Sequence, residues 1–168
     1  MSENEHEAKM ACPRMAAGAL FFDEADRVLL VEPSYKDYRD IPGRLCRGGG
    51  VAPASLCAED QEELGIAPYM GRLLVVDWAP NPGEGDKALY LFDGDRLSAD
   101  DCRQIALQAD ELRGYDFHNA DQVADITTPR LARRIVAAIQ ARAADQTVYL
   151  ETGICQRWGP DQSAATET

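Results

Sequence analysis

The stretch Glu59-Asp60-Gln61-Glu62-Glu63-Leu64-Gly65-Ile66 constrains this chain more than any other. Spaced at i, i+3 and i+4, the carboxylates of Glu59, Glu62 and Glu63 share one face of a helix. Like charges that close repel and raise one another's pKa. Such a face is either solvated or supplied with a cation, and three carboxylates on one turn suit a hard ion such as Mg2+ or Mn2+. The helix is well signalled. Pro53 fits a first-turn position, Ala54 to Leu64 contains neither Gly nor Pro, and Gly65 supplies the residue that ends a helix at positive φ. Ahead of it, Pro42 to Gly50 reads as a flexible loop with many bare N–H groups. A loop followed by an acidic helix can serve as a phosphate-plus-metal site. Residue types alone leave a plain solvated acidic face open as the alternative.

The flanking segments predict an α/β domain. Met15 to Phe22 and Arg27 to Glu32 read as strands joined by a short acidic turn. Pro33 to Asp40 reads as a surface loop, in which Tyr35, Lys36, Tyr38 and Arg39 could contact a substrate. The run Leu73-Leu74-Val75-Val76 fits a strand buried on both faces. Pro80 to Asp86 is a turn before a strand at Ala88 to Phe92. Ser98 can cap a short helix over Ala99 to Gln104, and Thr128 a longer one over Pro129 to Ala144. On that longer helix Leu131, Ile135, Ala138 and Ile139 follow the helical period. Arg130, Arg133, Arg134 and Arg142 read as its solvated face. Val148 to Leu150 is expected as a small edge strand.

Composition excludes several classes. No apolar run approaches the ~18–20 residues of a membrane span, so no membrane partner is expected. A net charge of −12 argues against broad contact with a nucleic acid backbone. A small anionic substrate stays compatible, because a metal ion can supply positive charge. Five scattered cysteines without a C-x-x-C pair suit a reduced, cytoplasmic protein. Neither a nucleophilic triad nor a dinucleotide fingerprint is present. Length and hydrophobic content suit one domain, expected over residues 15–152, between flexible tails at 1–14 and 153–168.

Ile41-Pro42-Gly43, a Gly-containing loop, then Glu59-x-x-Glu62-Glu63-x-Gly65-Ile66 resembles the signature box of the Nudix hydrolases. The second half of that box is kept. In its first half, Arg44 stands where the box has Gly, Gly50 where it has Glu, and Ala58 where it has Arg. Asp60 replaces an apolar residue. The flanking strands, and Asp110-Glu111-Leu112 ahead of Tyr115-Asp116-Phe117, resemble the same family. The likeness spans residues 15 to 144. One compensated shift of reading frame across codons 44 to 58 would restore Gly, Glu and Arg at positions 44, 50 and 58. The nucleotide sequence of that window tests this.

The resemblance implies a Nudix-type α/β/α sandwich with a mixed β-sheet and a loop–helix–loop metal site. It implies Mg2+-dependent (or Mn2+-dependent) hydrolysis of a diphosphate linkage in a nucleoside diphosphate derivative or similar small molecule. Glu59, Glu62 and Glu63 would act as metal ligands and catalytic carboxylates. Arg39, Arg44 and Glu111 are the candidate substrate contacts, Glu111 as an additional downstream carboxylate. A homodimer would fit the family. The altered half-box motivates a second expectation, a catalytically impaired Nudix-fold protein that binds a nucleotide or a protein partner.

Overall fold

The computed structural model describes residues 12–46, 63–66, 70–83 and 85–156. Strand β1 (Arg14–Phe22) and strand β2 (Val28–Pro33) form an antiparallel pair. The turn between them is built on Asp23. Its carboxylate accepts hydrogen bonds from the N–H groups of Ala25 (3.0 Å) and Arg27 (2.9 Å) and from Arg27 Nε (2.7 Å). Burial alone would raise the Asp23 pKa, but these donors outweigh it and hold the carboxyl below its usual range. Asp26 takes the left-handed position at φ 58°, which Asp tolerates better than most residues.

The remaining elements are β3 (Gly43–Leu45), β4 (Leu73–Ala79), β5 (Lys87–Arg96), α1 (Ala99–Gln104), β6 (Leu112–His118), α2 (Val123–Ile126), α3 (Pro129–Ala143), β7 (Val148–Glu151) and β8 (Ile154–Cys155). Among the described residues they make one eight-stranded sheet in the order β6-β2-β1-β5-β4-β7-β8, with β3 paired to β1. The sheet is mixed: β1 runs parallel to β5 and β4 parallel to β7, and the other pairs are antiparallel.

Side chains alternate between the faces of a strand, and β1 and β2 are apolar on both. Leu20, Phe22, Val28 and Leu30 pack on the α3 side with Leu131, Ile135, Ala138 and Ala141. Ala19, Phe21, Leu29 and Val31 pack on the opposite side with Leu64, Ile66, Leu97 and Leu112. Both faces are covered, which explains why these strands read as continuous apolar runs. Each fully buried Leu or Phe contributes about 1.5–3 kcal/mol from water exclusion.

Several expectations need correction. Gly43–Leu45 is a strand and not loop, because β1 offers free backbone groups opposite it: Ala16 pairs Leu45, Ala17 pairs Arg44 and Gly18 pairs Gly43. Strand β7 is not the edge. It lies between β4 and β8, and the sheet continues through Cys155. The short helix α2 was not anticipated. The box helix expected over 54–64 falls outside the described residues except for Glu63, which is helical, and Leu64, a turn residue. Gly65 follows at φ 71°, the conformation expected of its end. No helix among the described residues is long and apolar enough to cross a membrane.

Candidate active site

The end of the acidic helix is held from two directions. Leu64 is fully buried among the apolar residues of β1 and β2. The backbone is fastened to the segment after α1: Ala106 N donates to Leu64 O (2.9 Å) and Gln108 N to Glu63 O (3.2 Å). A side chain at position 65 would meet Ala106 at 3.1 Å, which gives the glycine a packing reason as well as a conformational one.

That fastening segment carries Glu111. The Glu111 N–H donates to Gln108 O (3.0 Å), and its carbonyl accepts from Ser34 N (2.8 Å). Glu63 and Glu111 therefore flank one short, hydrogen-bonded stretch, although 48 positions separate their numbers in the sequence. Glu59 and Glu62 lie outside the described residues. Among the described residues, no group of three or more His, Cys, Asp or Glu is gathered to hold a metal ion.

The front of the box is placed by β1. Arg44 lies in β3 opposite Ala17. Gly43 sits so close to β1 that a Cβ there would fall 2.4 Å from Ala17 O. Arg39 is held beside β2 and β6: its Nη2 donates to Asp116 Oδ2 (3.0 Å) and lies 3.7 Å from Glu32 Oε2. Among the described residues its Nη1 is buried without a hydrogen-bond partner, as is Nε2 of His118 on β6. Burial, reinforced by the Arg39 cation, lowers the His118 pKa below the ordinary 6.5.

A groove opens on the α3 face, between the 34–42 loop, β1, β5 and the start of α3. Its two lobes, about 160 and 340 Å3, share Ala16, Asp40, Leu89, Leu131 and Arg134. Gly43 lines the smaller lobe, so the groove adjoins the entrance to the box. The larger lobe adds Lys36, Tyr38, Lys87 and Arg130. Lys36 Nζ bonds Asp40 Oδ2 at 2.6 Å and stands 5.2 and 5.5 Å from the Tyr35 and Tyr38 ring centres. Burial alone would lower the Lys36 pKa, but the Asp40 carboxylate outweighs it and the pKa is raised. Arg39 does not line either lobe.

The arginines of α3 correct the expected solvated face. Arg130 and Arg133 are exposed, but the Arg134 side chain is only 12% exposed and pairs through Nε with Asp77, which is fully buried in β4. Asp77 Oδ1 also accepts from Gly153 N (2.9 Å), so one carboxylate ties α3 to the β7–β8 turn. Burial lowers the Arg134 pKa, and the Asp77 carboxylate offsets only part of that. Arg142 bonds Asp93 at 3.0 and 3.1 Å and lies 4.4 Å above the Phe22 ring. The spacing had held this signal. Arg134 follows Leu131 by three and precedes Ile135 by one, so it falls beside the apolar stripe and not opposite it.

No model of a protein family matches the chain, and no curated protein sequence matches it. Solved structures do match in shape. A UDP-X diphosphatase superposes with a TM-score of 0.68 at 19% identity, covering 89% of this chain and 76% of that one. An ADP-ribose pyrophosphatase from Streptococcus suis 89-1591 gives 0.61 at 19% identity, covering 83% and 99%. The Nudix domain of Shewanella oneidensis NrtR, complexed with ADP ribose, gives 0.60 at 16% identity, covering 86% and 99%. The mixed sheet between α3 and the end of the acidic helix is thus the Nudix fold.

Proposed function

We propose that this Nudix-fold chain is a metal-dependent hydrolase of a diphosphate linkage in a nucleoside diphosphate derivative or similar organic diphosphate. The observation that carries the reading is a coincidence of motif and fold. Glu59-x-x-Glu62-Glu63 belongs to a chain with the Nudix fold, and Glu63, helical and followed by Gly65 at positive φ, is bonded through its carbonyl to the segment that carries Glu111. The solved structures of like fold include proteins described as acting on UDP-X and on ADP-ribose.

The donor set suits the ion. Glu59, Glu62 and Glu63 supply oxygen ligands only, the choice of Mg2+ or Mn2+. When bound, such an ion supplies Lewis acidity to a phosphoryl oxygen and acidifies a water molecule. The chain's own part is to hold and to move protons. Spaced as the sequence has them, the three carboxylates would offset the ion's charge and hold it in place. One of them, or Glu111, accepts the proton of the attacking water. Arg44, in β3 at the box entrance, is our candidate contact for a phosphate oxygen.

The test is release of phosphate or nucleotide from a panel of diphosphate compounds, with and without Mg2+. Glu62→Gln and Glu63→Gln should each cut metal-dependent turnover by at least about a hundredfold. Unchanged turnover in both variants would sink the site assignment. One observation favours a second reading, a Nudix-fold binder without catalysis: Arg44, Gly50 and Ala58 replace three residues of the box. Calorimetry separates the two, since a binder returns its ligand intact after hours and an enzyme consumes it.

A further inference from the structure

We propose that His118 and Arg39 compete for the Asp116 carboxylate, so that protonation of His118 releases Arg39 and loosens the 34–42 loop that borders the groove. This device does not depend on the hydrolase reading.

Strand register builds the cluster. Asp116 and His118 stand two residues apart on β6 and so share a face. They pair with Leu30 and Val28, whose side chains pack on the α3 side. Arg39 reaches this face from the loop: its Nη2 donates to Asp116 Oδ2 at 3.0 Å and lies 3.7 Å from Glu32 Oε2. The same residue anchors the loop. The Arg39 N–H donates to Ile126 O (2.9 Å), and the next residue, Asp40, exchanges both backbone bonds with Val31 (2.9 and 3.0 Å). Asp40 in turn lines the groove.

Two buried atoms of this cluster have no hydrogen-bond partner among the described residues, Arg39 Nη1 and His118 Nε2. A neutral imidazole offers one donor and one acceptor; a charged one offers two donors and no acceptor. Neutral His118 tolerates the guanidinium beside it. Charged His118 adds a second cation and needs an acceptor, and Asp116 is the one its own strand supplies. Burial and then the Arg39 cation disfavour the charged ring. Arg27 in the β1–β2 turn adds to this, and Asp116 opposes it. Glu32 of β2 is shared with Arg113 of β6 (3.4 Å), and Asp125 of α2 is exposed. With Arg39 in place the ring takes a proton less readily than once Arg39 has left. Falling pH therefore favours the released arrangement, from the ordinary histidine range downward.

NMR on the full chain between pH 5 and 8 reads both ends of the device. His118 should titrate below 6.5, and its midpoint should rise in Arg39→Gln. Protection of the Arg39 and Asp40 amides from hydrogen exchange, corrected for the intrinsic pH dependence, should fall about tenfold from pH 8 to pH 5, the loss expected of a one-unit difference in proton affinity. Amides of β4 should keep theirs. His118→Gln cannot charge and should hold the loop's protection constant. Equal protection at both pH values in the parent chain, a fall shared by β4, or a fall that persists in His118→Gln overturns the proposal. If His118→Gln does not fold, the Arg39→Gln titration decides, and an unmoved His118 midpoint overturns it.

Discussion

A single carboxylate, Asp77, joins three parts of the molecule. It is fully buried, pairs with Arg134 on α3 and accepts the Gly153 N–H of the β7–β8 turn. Removing one partner of a buried pair leaves the other charge uncompensated, which costs roughly 3–5 kcal/mol. Asp77→Asn should therefore lower the unfolding free energy measured by urea titration by an amount of that order, and an unchanged value would show that the pair is not holding α3 to the sheet. The need for a partner was legible in the sequence, since a carboxylate inside a strand apolar on both sides must be satisfied. The identity of the partner was not. Arg134 lies 57 positions along the chain, and nothing local chooses it over Arg130 or Arg133.

At the level of elements, the local signals held where they were strong. Thr128 Oγ1 accepts from Leu131 N at 3.3 Å, and Pro129 opens α3. Ser98 and Asp101 form the reciprocal capping pair at α1. Because α3 both closes the core and borders the groove, its cap matters to both. Thr128→Ala should cost about 1 kcal/mol, read from equilibrium denaturation. A variant as stable as the parent would mean that packing alone sets the start of α3. Strand β3 escaped the sequence for a physical reason. Three residues carry no periodicity, and their extended shape comes from pairing with β1, where only glycine fits at position 43. The same argument applies to β8, whose two exposed residues pair with β7.

For the whole molecule, two apolar clusters pack on opposite faces of the sheet. Of the carboxylates proposed to bind metal, Glu63 is the described one, and the chain just after it is anchored by the buried Leu64 and Ile66. EDTA should therefore stop turnover while shifting the melting temperature by less than about 2 °C, corresponding to under about 1 kcal/mol. A large drop in melting temperature would assign the metal a structural role. The sequence by itself determined the order of the main strands and helices and their caps and turns, because these depend on spacing within a few residues. Only the tertiary structure decided that the backbone of Glu63 is bonded to the segment that carries Glu111, that Arg134 is buried against Asp77, and that four cations border one groove. Each of those joins segments far apart in the chain, and such proximity follows from strand order and packing that no local window encodes.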